Sequence, residues 1–234
     1  MANNINKEGL DANESLQKTE VFFDKYKKPL SIGVVALVVI IAGFFIYKSQ
    51  VAGPRAEKAS TSLAKGQEYF NQEMFEQALN GDNAGYIGFA KIASDYSGTD
   101  AGNLANLYAG LCYANLNKWQ EAQKHLDAYS TAGDMMVSPA AVAALGNAYA
   151  HLNQIDKAID KLKKAASMAD DKAEDGVNNS LSPTFLLQAG ILLESQNKKD
   201  EALKIYQDIK KTYLNSALVQ SGEVDKYIER ATIK

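Results

Sequence analysis

The most uniform stretch of the chain is residues 30–47, "LSIGVVALVVIIAGFFIY", where Ser31 and Tyr47 carry the only hydroxyls and no residue is charged. A segment apolar on every side predicts a helix with no face to turn to water. At 1.5 Å per residue it spans about 27 Å, close to the hydrocarbon thickness of a bilayer. Lys25, Lys27 and Lys28 stand at one end and Lys48 at the other, and Phe22, Phe23, Tyr26 and Tyr47 suit the interfaces. The expected division is an N-terminal segment 1–29, a transmembrane helix 30–48 and a linker 49–58. The apolar run is longer than the roughly 7–15 residues of a cleaved leader, which predicts an uncleaved signal anchor. Small residues in "QVAG" at 50–53 leave cleavage open.

After residue 58 the pattern becomes mixed, and a short polar phrase recurs: "NLNKWQEA" at 115–122, "HLNQIDKA" at 151–158 and "ESQNKKDEA" at 194–202. Aligned on Ala122, Ala158 and Ala202, each copy has a glycine twelve residues earlier (Gly110, Gly146, Gly190). Nine residues earlier stand Tyr113, Tyr149 and Leu193, and four residues later stand Leu126, Leu162 and Tyr206. Gly66, Tyr69 and Ala78 repeat the first three positions, but Asp82 falls where the bulky apolar residue belongs. Residues three or four apart share a helix face. A helix without a side chain at one point admits a second helix, whose large residue fills the adjacent gap. The asparagine-led phrase is then a turn, and each unit is a helical hairpin that must stack on others to bury its apolar face. Phe89 is the candidate to replace the missing bulky residue of the first unit, because "FAKIASDYSGT" corresponds to "YQDIKKTYLNS".

This pattern resembles the tetratricopeptide repeat, a helix–turn–helix unit with small–x–x–Tyr in its first helix and Ala–x3–bulky in its second. The aligned alanines are 44, 36 and 44 residues apart, and the polar segment 169–183 accounts for the last excess. The expected fold is all-α: one transmembrane helix, a solenoid of tetratricopeptide-like hairpins over 59–212, and a capping helix over 213–234.

Composition removes several functions. A net charge of −3 with no basic stripe gives no nucleic-acid footprint. His125 and His151 lie on different repeats without a second ligand near them, so no metal is expected. Asp170, Asp171, Glu174 and Asp175 lack calcium-loop spacing and read as a solvated acidic loop. Cys112, on a repeat helix, reads as a small buried hydrophobe, and Trp119 as a cover for the end of a hairpin. No phosphate loop, nucleophile elbow or dinucleotide turn is present, so neither a cofactor nor an enzyme is expected.

What remains is surface. Taking offsets −3, +1, +4 and +5 from each glycine as the lining of a protein-binding groove gives Leu107, Leu111, Ala114 and Asn115 in one unit. The next two give Ala143, Asn147, Ala150 and His151, then Leu187, Ile191, Glu194 and Ser195. Such a surface suits an apolar or extended segment of another protein and lacks the basic clamp that would hold a terminal carboxylate. Gly33, Ala36, Ile40 and Gly43 form a narrow stripe that would let another membrane helix approach. Leu16, Phe23 and Tyr26 share a stripe on the preceding segment, which reads either as a short helix on the membrane surface or as a disordered tail.

The order of parts adds a resemblance. A charged start with "EVFFDKYKKPLSIGV" enters a single span, then come "KSQVAGPRAEKASTSLAKGQEYF" and hairpins opening with "YSGTDAGNLANLYAGLCYANLNKWQEA". This is similar to the membrane-anchored ancillary subunit family of the bacterial Sec translocon. The resemblance implies a single-pass inner-membrane protein with a cytoplasmic N-terminus and a periplasmic repeat domain. Its partners would be export channel subunits, exported clients or periplasmic chaperones. Lys18, Lys25, Lys27 and Lys28 before the span against Lys48, Arg55 and Lys58 after it bias the orientation the same way. The other reading from the residues is a structural organiser of an envelope complex, acting as a homo-oligomer or with one stable partner.

Overall fold

The computed structural model describes the backbone of residues 5–233 and the side chains of residues 25–233; within these, every regular element is helical. Two compact units result, Met1–Arg55 and Ala56–Lys234.

The first unit is helix α1 (Ile5–Tyr47), with Pro29 inside it, followed by a π-helical turn, Lys48–Ala52. The N–H of Gly53 reaches back five residues to the carbonyl of Lys48. Pro54 follows, with no N–H and a ring that clashes with the carbonyl four residues before it, so the ladder widens by one residue ahead of it. Every residue from 25 to 51 is exposed, and α1 holds an apolar window long enough to cross a bilayer. Leu16 and Phe23 lie outside the described side chains. The segment read as a linker, 49–58, is helical throughout.

The second unit is built of hairpins. Helices α5 (Asp100–Asn115) and α6 (Trp119–Asp127) form one, α7 (Val137–His151) and α8 (Ile155–Asp170) the next, and α9 (Ser182–Ser195) and α10 (Lys199–Thr212) a third. Each helix packs on its neighbours in the chain, so the core runs as three successive apolar clusters. The turns have one cause. Asn117, Asn153 and Asn197 adopt φ of 58, 59 and 61°. That left-handed residue lets the next N–H return to the carbonyl five residues earlier: Lys118 to Tyr113, Gln154 to Tyr149 and Lys198 to Leu193, at 2.8–2.9 Å. The asparagine's own N–H bonds three residues back, to Ala114, Ala150 or Glu194. These paired bonds satisfy carbonyls that a helix end leaves open, and asparagine tolerates the conformation better than most residues.

The glycines are notches. A Cβ built at Gly110 would stand 2.6 Å from Leu126 Cγ, and one at Gly146 would stand 3.1 Å from Leu162 Cγ. At Gly190 it would collide with the Tyr206 ring. Ala122, Ala158 and Ala202 are wholly buried beside them.

The first hairpin obeys the same rule by another route. Helix α2 (Gly53–Asn71) turns at Glu73, φ 59°, into α3 (Phe75–Asn80), which stops at Gly81; the chain resumes as α4 (Phe89–Asp95). A Cβ at Gly66 would collide with Tyr86 and Phe89, so Phe89 supplies the knob as expected. The eight residues of loop 81–88 match the excess of this repeat, 44 against 36. The carboxylate of Asp82 organises that loop. It accepts from the Tyr69 hydroxyl (2.6 Å) and the N–H groups of Ala84 and Tyr86 (2.8 Å each), and pairs with Lys65 Nζ at 2.9 Å.

The C-terminal segment is two helices rather than one, α11 (Ala217–Gln220) and α12 (Glu223–Thr232). Helix α12 lays Val224 and Ala231 on the last cluster, beside α10.

Candidate functional site

The first helices of the hairpins are α2, α5, α7 and α9. The rows turned away from the glycine are offsets −6, −2, +1 and +5, none of which is buried; offset +4 (Phe70, Ala114, Ala150, Glu194) is half-buried in every unit. The four rows read Ser60, Ala64, Gln67 and Asn71; Leu104, Tyr108, Leu111 and Asn115; Ala140, Ala144, Asn147 and His151; Thr184, Gln188, Ile191 and Ser195. Charged residues make up 23% of the chain, yet none stands in these rows. Apolar, hydroxyl and amide side chains are mixed across the face, and the Gln188 side-chain oxygen is buried with no hydrogen-bond partner among the described residues.

The sequence reading needs correction here. Asn115, Asn147, His151 and Ile191 are exposed, and Leu111 is half-buried. Leu107, Ala143 and Leu187 are buried: they are 7, 3 and 8% exposed and belong to the apolar clusters. Ala114 and Ala150 pack partly against the core, as do Leu104, Leu111 and Ala144 of the face, and Tyr108 stacks on Phe89. The reason is angular. With each residue advancing about 100°, offsets −3 and +4 lie about 60° and 40° from a glycine that faces its partner helix. The four accessible rows lie about 100–160° from it. That arithmetic would have found Leu104, Tyr108, Ala140, Ala144, Thr184 and Gln188, which the offset reading missed.

Glu194, the third +4 residue, is held by the C-terminal helix. The Arg230 guanidinium pairs with its carboxylate, the Tyr206 hydroxyl donates to it at 3.2 Å, and Arg230 also covers the Tyr227 ring at 4.7 Å. It therefore closes the end of the stack instead of lining a groove. Trp119 does more than cover a hairpin end: its ring stacks on His151 of the next unit, centroids 3.6 Å apart and planes 3° from parallel.

Other candidates fall to structural roles. Burial pushes the Cys112 thiol up to about 12. His125 stacks on Tyr113 and meets the Asn106 side-chain oxygen at 3.1 Å; burial lowers its pKa. Asp170 is no part of a solvated cluster. It accepts from the Tyr213 hydroxyl (2.6 Å), the Ser182 hydroxyl (2.7 Å) and the Asn178 N–H (2.8 Å), tying down loop 171–181. Among the described residues no three His, Cys, Asp or Glu side chains are grouped to hold a metal. In α1, Gly33, Ala36, Ile40 and Gly43 are all exposed, with nothing near either glycine.

Comparison with known proteins agrees with the hairpins. The tetratricopeptide repeat-like domain model matches residues 20–221, taking in the apolar helix as well as the repeats. Among solved structures, MamA is similar at 17% identity and a TM-score of 0.48, over 71% of this chain and 91% of its own. The C-terminal part of a repeat-containing protein from Cytophaga hutchinsonii is similar at 13% identity and a TM-score of 0.36, over 72% of this chain and 77% of its own. No curated relative matches. Four glycine notches, four left-handed turns and a family match over most of the length lead to one assignment: the chain belongs to the tetratricopeptide repeat-like domain family.

Proposed function

We propose that this protein is a membrane-tethered scaffold that holds other polypeptides on the first-helix face of its repeats. The observation that carries the reading is the uncharged face of α2, α5, α7 and α9, in a chain whose exposed apolar helix has the length of a span. A face without charge costs little to desolvate, and its amides offer donors and acceptors to a backbone. It therefore accepts extended segments of many sequences rather than one terminal carboxylate. The helix within 30–47 is the tether, with the N-terminus cytoplasmic and the repeats on the far side of a bacterial inner membrane. The resemblance of its order of parts to the ancillary Sec subunit family supports exported chains or periplasmic chaperones as the clients and the export channel as the neighbour of the tether.

A photo-crosslinking residue placed in the full-length chain tests this, at Asn147 or Ile191 on the repeats and at Ala36 or Ile40 on the tether. Channel subunits cross-linked from the tether, and client segments from the repeats, are the expected result. The same non-channel partner cross-linked from the repeats, with nothing from the tether, would replace this reading by the envelope organiser.

A further inference from the structure

We infer that the loop edge of the repeat unit is a second docking surface, for an extended polypeptide segment whose apolar side chains are flanked by lysine or arginine. This edge meets the first-helix face at Thr184 and is otherwise built mostly of loop residues.

The edge is ordered, yet it displays apolar residues. In the loop between α6 and α7, the Asp134 carboxylate accepts from the N–H groups of Met136 (2.9 Å), Val137 (2.5 Å) and Ser138 (3.2 Å), and from the Ser138 hydroxyl (2.6 Å). So fixed, Met135, Met136 and Val137 stand 47, 56 and 45% exposed. A loop that only joined two helices would gain by turning such residues inward. Methionine pairs suit partners of varied shape.

Two cavities lie along this edge beside loop 171–181, with Asn179 and Ser180 in the wall of both. The first, about 470 Å³, lies between Met135 and Met136 on one side and Val177 and Leu181 on the other. The second, about 340 Å³, reaches Leu218. Leu214, 60% exposed, stands next to this end in sequence. Asn179, in the wall common to both, keeps its side-chain oxygen buried without a partner among the described residues. A buried acceptor left unmatched is costly.

Charge selects the occupant. Asp134, Asp171, Glu174 and Asp175 stand at the first cavity or beside it in sequence, against one cation, Lys172. That balance attracts a basic segment and repels an anionic lipid surface.

The test uses the full-length chain in detergent and two fluorescent ten-residue peptides with the same leucine-rich centre, one flanked by lysines and one by glutamates. Fluorescence anisotropy should show the lysine-flanked peptide binding at least about tenfold more tightly. Met136→Glu makes the edge more acidic, so a purely electrostatic binder would tighten; the apolar edge requires binding to weaken by about tenfold or more. Lys91→Ala, on the exposed side of α4 and part of neither surface, should leave binding unchanged. Equal binding of the two peptides, no binding of either, or tighter binding by Met136→Glu overturns the inference. So does a change of oligomeric state in Met136→Glu by sedimentation, which would give the edge to a second copy. An effect of Met136→Glu seen only in lipid nanodiscs would give it to lipid.

Discussion

The first hairpin and the later ones solve one packing problem with different chain. In the hairpins of α7–α8 and α9–α10, a single second helix carries both the small residue and the bulky residue four positions on, Ala158 with Leu162 and Ala202 with Tyr206. In the first, Ala78 ends up in α3 and the knob, Phe89, in α4, with a loop between them. The notch at Gly66 is filled all the same. The conserved quantity across the repeats is the void opposite each glycine and something large to fill it; the continuity of the second helix is dispensable once a loop is anchored well enough to bring the knob back.

The strongest way to break this comparison is to remove the knobs. Phe89 is wholly buried and stacks on Tyr108 at 5.0 Å, and Leu162 is wholly buried in the next core. Phe89→Ala should cost about 3–5 kcal/mol and Leu162→Ala about 2–5 kcal/mol in urea unfolding. If the split hairpin held its knob loosely, Phe89→Ala would cost less than about 1 kcal/mol and the equivalence would be wrong.

Filling the notches is the next test, and it grades the sites. Gly110→Ala places a methyl 2.6 Å from Leu126 Cγ and 3.1 Å from the Leu126 backbone nitrogen. Overpacking of about 1–3 kcal/mol outweighs the helix-propensity gain of about 1 kcal/mol, leaving a net loss. Gly146→Ala meets nothing closer than 3.1 Å, so the two effects nearly cancel and the change should fall within about 1 kcal/mol of neutral. A reversed order by chemical denaturation would show that the glycines serve the chain rather than the packing.

These two experiments touch what was legible beforehand. The hairpins, their notches and the Phe89 substitution could be read because a repeat writes its packing at fixed offsets. The accessible rows are legible only once offsets are turned into angles: Leu107, Ala143 and Leu187 share a helix with Leu111, Asn147 and Ile191, and the angle from the glycine tells buried from open. Asp82 was legible as an irregularity and not as an anchor, because its partners Lys65 and Tyr69 lie a helix away and Ala84 and Tyr86 belong to a loop without periodicity. Arg230 on Glu194 joins residues 36 apart, and no spacing rule connects them.

Acid provides a third contrast between the regions. Hydrogen bonds from Tyr69 and Lys65 hold the Asp82 carboxyl far below the usual range, and Ser138 and the neighbouring N–H groups hold Asp134 at about 2. Both folded values lie below the ordinary carboxylate value of about 3.9. The stabilisation is therefore complete above that value and is lost as pH falls through it toward the folded values. Circular dichroism against pH should show stability declining below about pH 4, and Asp82→Asn should flatten that decline while lowering stability at pH 7. An acid limb unchanged in Asp82→Asn and in Asp134→Asn would remove both carboxylates from the account.

The smallest expected effect reaches the difference between the turns. Three turns place asparagine in the left-handed conformation, while the first places Glu73 there at the same φ. The bonds around it are the same: the Met74 N–H returns to the Tyr69 carbonyl and the Glu73 N–H to Phe70, both at 2.9 Å. Glutamate has no short polar side chain to ease its own Cβ strain, which costs an ordinary L-residue about 1–2 kcal/mol, so the first turn retains strain that the others shed. Glu73 is exposed, and a replacement there disturbs no packing. Glu73→Asn should therefore stabilise the protein by about 0.5–1 kcal/mol, part of the strain being relieved. Glu73→Gly should gain less, because the freedom glycine adds to the unfolded chain offsets the relief. The reverse change, Asn153→Glu, should cost a similar amount in a regular hairpin. Equal and opposite shifts in the urea midpoint would show that the split hairpin and the regular ones close through the same turn. A Glu73→Asn variant no more stable than its parent would mean that α2 and α3 are held at their angle by Phe70 against Phe75, whose rings meet at 5.5 Å, and that the turn follows the packing.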